Sequence, residues 1–207
     1  MTVDLKKQLA TYTAPRGSFS IVQVPALQYL AIDGCGDHNT SQAYADALAS
    51  LYPLAYKLKF LSRAELGQDY VVMPLEGLWW SDDMASFTSG RDKSRWDWTM
   101  LIMVPDWITA SHLESAREQA ARKNAAPALD AVRLETLREG LSVQTLHVGS
   151  YDDEAPVLEA MHQEFIPEHG LRLAGKHHEI YLSDARRTPA AKLRTILRQP
   201  VAELAPG

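Results

Sequence analysis

One order of elements, strand then helix then two strands, is written twice into this chain. Residues 21–32 read as a strand, broken by Pro25, which cannot donate to a ladder and so marks an edge or a bulge. The strand stops at Asp33-Gly34-Cys35-Gly36, a sharp turn, after which Asn39 or Thr40 can cap a helix. Over residues 41–60 the apolar positions Tyr44, Leu48, Leu51, Ala55 and Leu58 recur at spacings of three and four, giving an amphipathic helix that Pro53 should kink or divide. Strands at 70–80 and 96–104 complete the first set. The second set begins with a strand at 142–148 that ends at Gly149. Asp152 and Asp153 then open a helix with Val157, Met161 and Phe165 inward, Gly170 closes it, and strands follow at 176–182 and 193–201. Between the sets lie a helix from Ser111, with Glu114 at capping-box spacing, to about residue 124, a strand at 132–137 and a turn at Glu139-Gly140. Arg117, Arg122 and Lys123 suit the negative end of that connecting helix.

Two such sets predict an α+β fold: duplicated units sharing an antiparallel sheet, with helices on one face and the other face free to form a groove. The expected organisation is an N-terminal arm at 1–18 and a single domain at 19–201. Its first repeat spans about 19–106, the connector 109–138 and the second repeat 141–201.

Composition narrows the partner. Acidic residues outnumber basic ones by 26 to 21, so no general electrostatic footprint for nucleic acid exists, and a small molecule is the expected ligand. The lone Cys35 excludes an internal disulfide and a thiolate cluster. No stretch approaches the roughly 18 apolar residues of a membrane span, and the start MTVDLKKQLA is too polar for a secretory signal, so the cytoplasm is the expected compartment.

The chemistry concentrates in GKHHEIYLSDARRT, residues 175–188. In an extended chain its alternation puts His177, Glu179 and Tyr181 on one face and His178, Ile180 and Leu182 on the other. A mid-strand Glu beside a Tyr is either a solvated edge or a carboxylate set in a pocket; the pocket is the favoured reading. There Glu179 can attract a ligand cation or, with its pKa raised by desolvation, accept a proton from attacking water. Tyr181 can donate to a ligand oxygen that gains negative charge, or simply pack at a sheet rim. Adjacent strand residues diverge, so His177 and His178 do not chelate one ion with Glu179, and neither metal nor cofactor is expected. His177 can instead act beside Glu179 toward the ligand or a proton.

Five tryptophans, three of them clustered between Trp79 and Trp96, are many for core filling alone, and their flat faces suit aromatic or cationic ligands. Alternation pairs Glu76 with Leu78 and Trp80 on one face and Leu75 with Trp79 on the other. Setting Gly77-Leu78-Trp79-Trp80 against His178-Glu179-Ile180-Tyr181 puts Trp80 opposite Tyr181 and hence in the groove; Trp98 shares a face with Trp96 and Met100. Core and cage stay open for each, with Trp80 and Trp98 ahead. Tyr151, after Gly149, can close the rim, and the loop at 81–94 is long enough to flap over something. Oligomeric state is not legible.

The segments GKHHEIYLSDARRTPAAKLRTILRQPV, LHVGSYDDEAPVLEAMHQEF, AYKLKF, RWDWTMLIMVPDWIT and VVMPLEGLWW, in this order-consistent spacing, resemble the GyrI-like small-molecule-binding domain family from about residue 19 to 201. The resemblance implies that the duplicated units are related by a pseudo-twofold axis in a curved antiparallel sheet, whose concave surface holds aromatic, often cationic or polycyclic, compounds, with an acidic residue that meets their charge; Glu179 looks like the counterpart of that residue. No helix-turn-helix segment accompanies it, so the chain is similar to the stand-alone members. Among these it looks like the cyclopropanoid cyclopropyl hydrolases, which open the strained ring of DNA-alkylating natural products within an aromatic cage. The resemblance therefore implies a xenobiotic hydrolase with Glu179 and Tyr181 catalytic and Trp80, Trp98, Tyr151, His177 and Glu76 around the ligand. The alternatives it leaves are a non-catalytic sink for cationic aromatic compounds and a protein binder of the gyrase-inhibitor type.

Overall fold

The computed structural model describes residues 2–81, 95–122 and 126–204, so the expected 81–94 flap and Lys123 at the helix end lie outside the described residues, apart from Ser81. In chain order the strands are β1 (Thr2–Val3), β2 (Ser20–Val24), β3 (Leu27–Cys35), β4 (Asp69–Tyr70), β5 (Leu75–Trp80), β6 (Asp97–Met103), β7 (Arg133–Leu137), β8 (Gly140–Val148), β9 (Leu171–Leu173), β10 (His177–Tyr181) and β11 (Arg194–Glu203). The helices are α1 (Leu5–Gln8), α2 (Gln42–Glu65), α3 (Ala110–Ala121), α4 (Ala155–Glu159) and α5 (Ile166–Glu168), the last two joined by a π-helical turn (Ala160–Phe165).

The chain divides into two compact units, one of Met1–Gln8 and Leu27–Leu137, the other of Leu9–Ala26 and Arg138–Gly207. In the first, antiparallel neighbours run β5-β6-β3-β7. In the second they run β10-β11-β8-β2, with β9 pairing the end of β11. The strand before the helix and the two after it thus take the same places in both sheets, which is the duplication read from the sequence. The units exchange ends: β2, placed at the head of the first repeat by its sequence position, pairs with β8 of the second unit. Pro25, between β2 and β3, sits where the chain passes from the second unit to the first.

Helix α2 is capped by Ser41, whose Oγ accepts the Tyr44 N–H at 3.4 Å. Asn39, expected to cap, is occupied in a turn with Asp37 Oδ1, which accepts from both its backbone N–H and its Nδ2. The helix runs through Pro53 to Glu65 and buries Ala47, Leu51, Leu54, Ala55 and Leu58 as one stripe. The expected 70–80 strand is two pieces in different sheets, β4 pairing with β1 and β5 with β6, and Pro74 immediately precedes β5. Helix α3 begins earlier than its Ser111-Glu114 spacing suggests. Thr109 is the cap, its Oγ1 accepting the His112 N–H at 3.4 Å while His112 Nδ1 accepts the Thr109 N–H at 3.0 Å. Arg117 turns from the helix end to the Leu129 and Val132 carbonyls, at 3.1 and 2.6 Å.

Gly34 is required by its cross-strand partner. It pairs with Trp98, and a Cβ there would stand 2.1 Å from Trp98 Cη2. Gly34→Ala is expected to destabilise the fold by about 1–3 kcal/mol through overpacking, read as a lower Tm, and the double variant with Trp98→Leu should recover part of the loss.

In the second unit Val143, Met161, Ile166, Leu171, Leu197 and Val201 form the core, with Phe19, Val157 and Phe165 packed against it. The three residues expected inward on this helical segment, Val157, Met161 and Phe165, all face that core. The arm is stitched down by backbone acceptors. Gln144 Nε2 donates to the Thr13 carbonyl, Thr145 Oγ1 to those of Pro15 and Ser18, and the Leu146 N–H to that of Pro15.

Candidate functional site

Strand β10 sorts its side chains as the alternation predicts. Register places Glu179 across from Leu197 and Tyr181 across from Thr195, so these pairs share a face. On that face the Tyr181 hydroxyl donates to Glu179 Oε2 at 2.7 Å, and His177 Nε2 lies 3.4 Å from Glu179 Oε1. His177 is almost wholly buried, whereas the Glu179 side chain keeps 15% of its surface exposed. Tyr151, in the 3-10 turn that leads into α4, sets its ring edge-on to Tyr181, centroids 5.6 Å apart. Four of the predicted residues, Glu179, Tyr181, His177 and Tyr151, are therefore gathered in one place.

Leu197 belongs to the core that the helical segment covers, so Glu179 lies on the helix-bearing face of its sheet. The reason is the pairing itself. Leu197, whose burial needs the helix, and Glu179 are held side by side by the β10–β11 register, a relation that strand alternation cannot reveal.

The opposite face of β10 is tied just as firmly. His178 Nδ1 lies 2.9 Å from Glu139 Oε1, and Arg198 Nη1 donates to Glu139 Oε2 at 2.9 Å. The guanidinium also donates through Nε to Gln144 Oε1 and through Nη2 to the Thr11 carbonyl, at 3.1 and 2.6 Å. All three ionisable side chains are 0–3% exposed. Burial alone would raise the Glu139 pKa, but the charges and hydrogen bonds of His178 and then Arg198 outweigh it and hold the carboxyl down at about 2. Sequence reading took Glu139 for a turn residue and gave Arg198 no role, since nothing in spacing alone brings them together.

In the first unit the register corrects the alignment of the repeats. Trp98 pairs with Trp79 and with Gly34, whereas Trp80 pairs with Asp97. Trp80 and Trp98 thus point to opposite faces of this sheet. Trp98 and Trp79 take the face that carries α2, where Tyr44 meets Trp98 edge-on at 5.4 Å and stacks on Trp79 at 6.4 Å. His38 and Trp96 add edge contacts to Trp79 at 5.1 and 6.1 Å. The residue of β5 that shares the helix face, as Glu179 and Tyr181 do on β10, is therefore Trp79 and not Trp80. Aligning the two strands one residue out reverses every face. Glu76 is wholly buried on the other face, beside Leu101, and Trp98 is wholly buried in the aromatic cluster.

A duplicated α+β domain with a half-buried carboxylate and clustered aromatic rings on its helix-bearing faces defines a small-molecule-binding class of protein. The chain belongs to the GyrI-like small-molecule-binding domain family, whose profile matches residues 18–202. An uncharacterised conserved protein from Listeria innocua is similar at 38% identity and TM-score 0.88, covering 97% of this chain and all of that one. A hydrolase from Listeria innocua is similar at 37% identity and TM-score 0.84 with the same coverage. The C-terminal domain of EcmrR, 11% identical with TM-score 0.57 over 90% of this chain and 98% of that one, shares the fold alone. No curated protein matches the chain significantly. Among the described residues, no helix is long and apolar enough to cross a membrane, and no cluster of three or more His, Cys, Asp or Glu could hold a metal ion.

Proposed function

We propose that this chain is a xenobiotic-binding hydrolase that takes hydrophobic aromatic electrophiles and opens a strained ring, such as the cyclopropane of a DNA alkylator, by adding water. The observation that carries the reading is the Glu179 carboxylate held between the Tyr181 hydroxyl and the His177 imidazole, largely out of water but not sealed from it. The hydrolase name of a relative 37% identical over nearly the whole chain agrees with it.

In this mechanism Glu179 accepts a proton from water as the water oxygen bonds to a ring carbon. The cyclopropane C–C bond breaks, and its electron pair passes through the conjugated system to the ligand carbonyl oxygen. Protonation of Glu179 weakens its hold on the Tyr181 hydroxyl, which then turns to donate to the new oxyanion. Solvent protonates that oxygen to the phenol, and Glu179 returns its proton to water. Tyr151, beside Tyr181, supplies a ring face for the ligand within the same unit, and the negative carboxylate favours cationic ones.

The test is incubation of the purified protein with a synthetic spirocyclopropyl cyclohexadienone, following tryptophan fluorescence for binding and mass spectrometry for product. A product heavier by one water supports the mechanism. Tight binding with the compound recovered unaltered would instead make the protein a non-catalytic sink.

A further inference from the structure

The helical segment of the second unit touches both of the groups that touch Glu179. At its start Tyr151 lies edge-on to Tyr181, at 5.6 Å and 73°. In its π-helical turn His162 lies edge-on to His177, at 6.3 Å and 80°. A π turn accommodates one residue more than an α turn, and such turns recur at functional positions. Here it lets His162 face β10 while Met161 before it and Ile166 after it stay in the core. The Gln199 side chain, on β11 opposite Val143 of β8, donates to the Ala174 and Pro200 carbonyls.

We infer that His162 is a positioning residue: its ring edge holds the His177 imidazole against Glu179 Oε1 and so sets the direction of the carboxylate. This rests on the reading of Glu179 as the functional carboxylate. His177 is nearly wholly buried, so the orientation of its ring is decided by what packs on it, and His162 supplies that packing from the helix side. Loss of the edge lets the ring turn about its last bond and carry Nε2 away from Oε1. Displacements of about 1 Å at a reacting group can cost up to about a hundredfold in rate. Burial first, and then the neighbouring His177, push the His162 imidazole down to about 4 against the opposing effect of Gln199. At neutral pH it therefore packs as an uncharged ring and adds no positive charge beside the carboxylate.

The experiment compares His162→Ala, His162→Phe, Val157→Ala and Glu179→Gln with the unaltered protein. Val157 sits on the same helical segment but packs on the core, so its truncation reports a merely structural loss. Turnover of the spirocyclopropyl dienone, or Kd for rhodamine 6G if the protein only binds, is measured beside the imidazole NMR signals of His177. His162→Ala is expected to lower kcat, or weaken rhodamine binding, about tenfold and to move the His177 signals. His162→Phe, which keeps an aromatic edge, should restore both, and Val157→Ala should change neither. His177 signals unmoved in His162→Ala, or a functional loss no larger than that of Val157→Ala, would overturn the inference. A functional loss in His162→Ala with Glu179→Gln unaffected also overturns it, and places the failure in the reading of Glu179 itself.

Discussion

Glu139→Ala is expected to destabilise the protein by about 3–5 kcal/mol, because it leaves the Arg198 guanidinium and His178 buried without their carboxylate. That is a large part of the whole stability of an ordinary domain, so the variant should melt far lower or fail to fold. The penalty belongs to the broken network rather than to ion pairing as such. Replacing both partners, Glu139→Leu with Arg198→Met, should recover much of the loss, since a well-packed apolar pair avoids desolvating charge. Arg198 also donates to the Thr11 carbonyl, so the single variant should free the arm to proteolysis within residues 9–18 before it affects α4. The same network sets an acid limit. The folded carboxyl is held at about 2, well below its ordinary value near 4.5, so the unfolded chain binds the additional proton between these pH values. Stability from Glu139 is fully present above about pH 4.5 and is lost as pH falls toward 2. Acid denaturation of Glu139→Gln should accordingly have a shallower dependence over that window.

Glu179→Gln is expected to abolish water addition, with turnover of the dienone falling by about 10²–10⁴-fold, the usual contribution of a positioned general base. The fold should remain: the amide is isosteric, it can still accept from Tyr181, and removing a half-buried charge lowers its desolvation cost. A Tm that holds or rises while turnover disappears is the expected pair of results. Affinity for rhodamine 6G should also fall and lose its salt dependence, because the charge that attracts the cation is gone. Unchanged turnover in this variant would sink the mechanism, whatever the binding data show.

Much of the architecture was legible because periodicity reports burial. Tyr44, Leu51, Ala55 and Leu58 lie along α2 at the predicted spacing, and Val157, Met161 and Phe165 face the second core as predicted. Boundaries were less legible where local signals competed. Asn39 and Ser111 both look like caps, but Ser41 and Thr109 took those roles once Asp37 and His112 had supplied the geometry. At the site, alternation correctly grouped His177, Glu179 and Tyr181 and separated His178 from them. The alignment of the two repeat strands, not alternation, failed for the tryptophans. Two strands of a repeat can be aligned plausibly in either of two registers one residue apart, and only the ladder Trp79–Trp98–Gly34 shows which face is which.

Residue spacing by itself therefore determined the element order, its duplication and the membership of each strand face, since these depend on chain geometry within a few residues. It could not determine which face of β10 the helix covers, that Glu139 and Arg198 lock the back of that strand across 59 positions, or that a π turn brings His162 to His177. Those are contacts between segments far apart in sequence. They were decided by the tertiary structure, where burial brings Glu139, His178 and Arg198 together so that each charged group meets a partner.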